Sequence, residues 1–194
     1  NGPADFLEQP VSPITGTRFE NAKATKMVHL VEFTADAIKN GKLKLDPSRN
    51  DHLRVTYHDS CNPSRGMGFF DEPRYVIENV CNNFFEMPAG TTREQTFCCG
   101  SGSGLNTDEI MELRMRGGLP RANAVKFVQE RHDVNMLSCI CAIDRAVLTP
   151  LMDYWVPGVG VTGVHELVGN ALVLDGEIER TTDLRGEPLA GMEE

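Results

Sequence analysis

The chain has 194 residues, 40% of them hydrophobic, and a formal charge of −9. That length can bury a real core as one moderate domain. The acidic balance excludes a general nucleic-acid binder, which needs clustered Lys and Arg. No run reaches about eighteen apolar residues, so no helix is expected to span a bilayer, and no secretory leader is visible.

The chain opens on Asn1 rather than Met and is expected to be a piece of a longer protein. Residues 1–19 carry three prolines and read as an extended arm. Ala24, Met27, Val28, Val31, Ala35 and Ile38 then recur at helical spacing, and Gly41 stands where a helix-ending glycine belongs. Residues 53–58 read as a strand that delivers Cys61 to a turn at Asn62-Pro63-Ser64. Asp71-Glu72-Pro73 starts a second helix with Pro73 near its first turn. Its apolar stripe is Val76, Ile77, Val80, Cys81 and Phe84.

Asn106 with Glu109 resembles a capping box, Gly117-Gly118 interrupts, and Pro120 restarts a helix that runs to about Arg131. Residues 134–140 form an apolar, buried strand. A helix over 142–154 follows, with Pro150 as a kink. A short strand at 159–161 precedes a last helix over 163–174. The acidic stretch 175–194 has the composition of a disordered tail. Strands alternating with helices predict an α/β layered sandwich with a mostly parallel sheet. Val28-His29-Leu30-Val31-Glu32 and Val164-His165-Glu166-Leu167-Val168 echo one another, each at a helix start.

The chemistry lies in the cysteines. Cys98 and Cys99 are adjacent, with Cα atoms about 3.8 Å apart, too close for an ordinary disulfide. Followed by Gly100-Ser101-Gly102-Ser103-Gly104, they suit two thiolates aimed at one polynuclear centre, with glycine allowing the backbone to wrap it. Six cysteines could form three disulfides, but that suits small secreted chains. A metal centre in a reducing compartment is the better expectation. Cys61, Cys98, Cys99 and Cys141 each fall in a loop or at a strand end, where parallel sheets place ligands. Thiolates are the soft donors that iron–sulfur clusters require. Zinc is the competing metal, although its sites favour Cys-x-x-Cys knuckles.

Val55-Thr56-Tyr57-His58-Asp59-Ser60-Cys61, Glu72-Pro73-Arg74, Cys98-Cys99-Gly100 and Cys141-Ala142-Ile143 together resemble the CCG domain. That family is found in the B and D components of heterodisulfide reductases. Cys61-Asn62-Pro63-Ser64-Arg65-Gly66-Met67-Gly68 and Asn79-Val80-Cys81-Asn82-Asn83-Phe84 resemble its DsrK branch, from the DsrMKJOP complex of sulfur-metabolising prokaryotes. The resemblance spans residues 25–174. It implies a Rossmann-like, cysteine-rich iron–sulfur domain over 20–174 and a [4Fe-4S] cluster, with a non-cubane form among the options. It implies Cys61, Cys98, Cys99 and Cys141 as ligands, with Cys98 and Cys99 at the catalytic centre. It further implies a cytoplasmic oxidoreductase held at the inner face of the membrane by partner subunits, reducing a disulfide or trisulfide on a DsrC-like protein. Relatives in hydroxy-acid or glycerol-phosphate oxidation suggest a simple electron relay as an alternative, and a zinc-stabilised interaction domain is a second.

One position departs from the family pattern. Asp144 stands where its last cysteine belongs, so either four thiolates suffice or Asp144 or Cys139 completes the set. The ordinary expectation for Asp144 is a helix N-cap. Cys81, and by default Cys139, are expected as core thiols. His58 and His165 could supply protons but are expected to be structural, and Arg65 and Arg74 are expected in surface pairs.

Overall fold

The computed structural model of the protein describes residues 27–102, 107–174 and 176. The expected arm, Ala24, Asn106 and nearly all of the acidic stretch lie outside these residues. Three strands, β1 (Val55–Tyr57), β2 (Met136–Cys139) and β3 (Gly160–Gly163), pair in parallel in the order β1-β2-β3. Val55 pairs with Met136, Tyr57 with Ser138, and Cys139 with Gly163. Among the described residues six α-helices accompany them: α1 (Leu30–Lys39), α2 (Asp71–Val80), α3 (Met111–Gly117), α4 (Leu119–His132), α5 (Ala142–Trp155) and α6 (Val164–Ala171).

Side chains alternate across the sheet and build a core on each face. Val55, Tyr57 and Met136 pack with Val31 of α1, Val76, Ile77 and Val80 of α2, and Leu167 of α6. Leu137, Cys139 and Val161 pack with Val125 and Val128 of α4 and Leu148 and Leu151 of α5. Ile77 is fully buried, a burial that stabilises by roughly 1.5–3 kcal/mol. Because the strands follow chain order, the helices that close both crossovers, α4 and α5, lie on one face. The architecture is α/β with a parallel sheet, as the alternation of elements implies.

Helix ends follow local chemistry. The His29 ring accepts the Val31 N–H at 3.1 Å to cap α1. Past Asn40, Gly41 takes φ +64 and its N–H bonds the Ile38 carbonyl, while Lys42 N–H bonds Ala37. This pair of bonds closes the helix at a left-handed residue that glycine enters without a Cβ clash. Met27 and Val28, expected on the buried stripe, precede the helix and are exposed, as is Phe33; Val31, Thr34 and Ala35 form the inner face. Pro73 is the third residue of α2, and α5 runs through Pro150 as one helix. The expected strand at 159–161 is shifted by one or two residues. All six cysteines are free thiols, so the disulfide option is overturned.

Candidate metal centre

Every candidate ligand lies at the carboxyl end of the sheet. His58 continues the ladder past β1, its N–H bonding Ser138 O at 2.8 Å. Asp59 and Ser60 are buried and Cys61 is exposed, opening a wide helical turn over Asn62–Gly66. Ser64 closes that turn, its hydroxyl and its N–H both donating to Ser60 O, at 2.6 and 2.9 Å. Cys139 ends β2, and half-buried Cys141 is the N-cap of α5. A thiolate there would sit against the positive end of the helix.

The segment carrying Cys98 and Cys99 is tied to the β1 loop by three bonds. Thr96 Oγ1 donates to Asp59 O at 2.9 Å, Arg93 N–H to Asp59 Oδ2 at 2.8 Å, and Arg65 Nη1 to Thr96 O at 3.2 Å. Cys98 is exposed and Cys99 buried, and Gly100 N–H points to Cys98 Sγ at 3.3 Å. Gly100 adopts φ +96, and a Cβ there would collide with the Arg114 carbonyl. A Cβ on Gly118 would lie 3.0 Å from Cys99 O and 2.7 Å from the Leu151 methyls. The glycine pair between α3 and α4 is thus the floor on which the Cys98-Cys99 turn rests.

Gly100→Ala is expected to destabilise more than Gly90→Ala. Both positions have positive φ, but a Cβ on Gly90 meets nothing nearer than 3.7 Å. The dihedral alone costs of order 1–3 kcal/mol; the collision adds to it only at Gly100. Urea unfolding of the two variants checks this, and equal losses would refute the close approach.

Asp144 is the third residue of α5 rather than its N-cap, because Cys141 holds that place. Its carboxylate is buried, with Oδ2 3.4 Å from His58 Nε2 and with Ser60 and Cys99 as further neighbours. Burial pushes this carboxyl up, and His58, Ser60 and Cys99 more than reverse it, leaving it below the usual range. Burial drives His58 down, so its imidazole is neutral near pH 7. Burial, with the Asp144 charge, pushes the Cys99 and Cys139 thiols well up. Metal binding at these sulfurs would therefore release protons.

The remaining candidates separate from this edge or support it. Cys81 caps the end of α2 in the core, its thiol pushed up to about 12 by burial and by Asp51. Cys139 is also buried, its Sγ facing the Thr162 and Cys141 carbonyls at 3.6 and 3.9 Å. His165 bonds Thr34 Oγ1 at 3.1 Å, joining α6 to α1. Arg74 is not a surface residue. It is buried, grips both Asp59 oxygens at 2.8 Å each, and also bonds Glu86 and the Phe70 carbonyl. Arg65 is exposed and spans to the Thr96 carbonyl instead of a surface carboxylate.

Arg121, which motif spacing does not single out, is fully buried beneath the Cys98-Cys99 segment. One signal for it was present. It stands four residues before Val125 and seven before Val128, on the inward face of α4.

Among the described residues, no three His, Cys, Asp or Glu side chains are grouped to hold a metal ion. A polynuclear core spaces its thiolates more widely than one ion does. The donor set is of the kind such a core takes: soft thiols on three segments that lie at one edge of the sheet. Ser101 Oγ is also buried there without a hydrogen-bond partner among the described residues. Buried polar atoms of this kind need a partner, and hydroxyls beside cluster sulfurs supply the hydrogen bonds that tune a cluster.

The chain is similar to iron–sulfur subunits of redox complexes. It is 51% identical over 166 residues to the Hdr-like menaquinol oxidoreductase iron-sulfur subunit of Archaeoglobus profundus, covering 84% of this chain and 30% of that protein. It is 47% identical over 182 residues to the second Hdr-like menaquinol oxidoreductase iron-sulfur subunit of Archaeoglobus fulgidus, covering 91% and 33%. It is 35% identical over 151 residues to the D component of the dihydromethanophenazine:CoB–CoM heterodisulfide reductase of Methanosarcina mazei, covering 77% and 35%. The chain spans about a third of the length of these relatives. No family model and no solved structure matches it. These relatives support a place among Hdr-like redox subunits that carry an iron–sulfur centre.

Proposed function

We propose that this chain, as part of an Hdr-like iron–sulfur subunit, is the domain that reduces a sulfur–sulfur bond. Cys61, Cys98, Cys99 and Cys141 hold a [4Fe-4S]-type cluster, with Cys98 and Cys99 at its reactive side. The substrate is a disulfide or trisulfide on a small DsrC-like protein, with DsrK of sulfate-reducing metabolism as a functional counterpart. The domain works on the cytoplasmic face, held to the membrane by other subunits. Among the described residues no helix is long and apolar enough to cross a bilayer.

The observation that carries this reading is the convergence of the β1 loop, the Cys98-Cys99 turn and the start of α5 at one sheet edge. A disulfide takes two electrons and two protons to give two thiols. A cluster held by Cys61, Cys98, Cys99 and Cys141 would supply those electrons one at a time. The chain's own work is to fix the thiolates, keep Cys99 and Asp144 dry, and leave Cys61 and Cys98 open to a docking substrate. Ser101 offers a hydroxyl donor.

Anaerobically purified protein is expected to be brown, with acid-labile sulfide, and its oxidised EPR spectrum to change when a disulfide-bearing partner is added. A colourless protein with one zinc would refute the cluster. An iron-replete protein whose spectrum ignores saturating partner would make it a relay.

A further inference from the structure

Arg121 is a buried cation with no ion-pair partner among the described residues, although the Asp59, Asp144 and Glu86 carboxylates lie near enough to favour its charge. Its Nη2 donates to Thr91 O and Thr96 Oγ1, each at 2.7 Å, and lies 3.5 Å from Phe97 O. Its Nη1 lies 2.9 Å from Met87 Sδ, and the guanidinium stacks 5.8 Å from the Phe97 ring centroid. Every one of these partners is neutral. Among the described residues no carboxylate is within ion-pair range of it; the nearby Asp59 is gripped by Arg74, and Asp144 faces His58. Burying a lone charge costs several kcal/mol unless something of opposite sign offsets it. The carbonyl that Arg121 approaches belongs to Phe97, whose peptide bond leads directly into Cys98.

We propose that Arg121 is the fixed counter-charge of the anionic centre held by Cys98 and Cys99, and that it raises that centre's reduction potential. The proposal rests on the cluster reading above. A cation held near the cluster favours the state with one more electron. A guanidinium does this dependably, since burial lowers it only to about 10 and it stays charged near pH 7. It is a positioning residue as well, because the same fork anchors Thr91 and Thr96 on either side of the segment entering the turn.

The test is an EPR-monitored redox titration of the parent, Arg121→Gln and Arg121→Lys proteins, with iron and sulfide measured on each. At a fixed applied potential the ratio of reduced to oxidised cluster is expected to fall about tenfold in Arg121→Gln, about 59 mV for one electron. Arg121→Lys keeps the charge and is expected to stay within about threefold of the parent. An iron-replete glutamine variant with the parent's ratio would overturn the proposal, as would a lysine variant that falls as far as glutamine. Should the glutamine variant not fold, the lysine variant decides alone. A lysine variant within about threefold of the parent supports the assignment, and one that falls about tenfold counts against it. A parent protein that holds no iron at all would overturn the cluster reading itself, and this proposal with it.

Discussion

Cys98→Ser and Cys99→Ser proteins are expected to emerge from anaerobic purification without their iron. Serine is a harder and far less acidic donor than cysteine, and soft thiolates are what iron–sulfur centres select. Geometry adds to chemistry here. The turn that presents both sulfurs is fixed by the positive φ of Gly100 and by close packing on Gly118. Cys81→Ser is the matching control. Its thiol lies in the opposite core layer with Val80 and Ile77, and its loss is expected to lower stability by about 1–3 kcal/mol while leaving iron content intact. Iron per chain and visible absorbance decide the matter, and an iron-replete Cys99→Ser protein would defeat the assignment.

Arg74→Met is expected to cost about 3–5 kcal/mol, the loss typical when one partner of a buried ion pair is removed. Asp59 is wholly buried, and Arg74 supplies two of the three hydrogen bonds to its carboxylate. Burial pushes Asp59 up, but the bonds from Arg74 and Arg93 and the Arg74 charge hold it below the usual carboxylate range. A depressed folded-state pKa contributes stability that is present above the ordinary carboxylate value and lost as pH falls through the folded value. In the variant, the stranded carboxylate would instead gain by protonation. The gap between parent and variant is therefore widest near neutral pH and narrows as the medium is acidified. Urea unfolding at pH 7 and below pH 4 measures it. A loss under about 1 kcal/mol at pH 7 would show that the pair is not what steadies the loop.

Much of the α/β layering was legible because residues 134–140, apolar except at Asn135 and Ser138, and the Val76-Ile77-Val80 stripe call for burial. The ends of elements were less so. Met27 and Val28 fit the period of α1 but precede its His29 cap, and capping is decided by one ring nitrogen rather than by spacing. The cysteines at the sheet edge were legible from their loop positions. The arginines were not: Arg74 and Arg121 are charged residues on inward faces, and their partners Asp59, Thr91 and Thr96 come from distant segments. Only tertiary contact reveals such pairs. Asp144 was misplaced by three residues for a related reason, since both Cys141 and Asp144 suit a first helical turn, and burial against His58 and Ser60 selected between them.

The pairing of Val55 with Met136 also bears on how the protein matures. Contacts between segments so far apart along a chain form late and slowly, parallel ones above all. Until that ladder closes, the thiols of the first and second halves share no common neighbourhood. Under the cluster reading proposed above, loops far apart in the chain would reach one another only as this ladder forms, so metal loading would follow strand pairing rather than precede it.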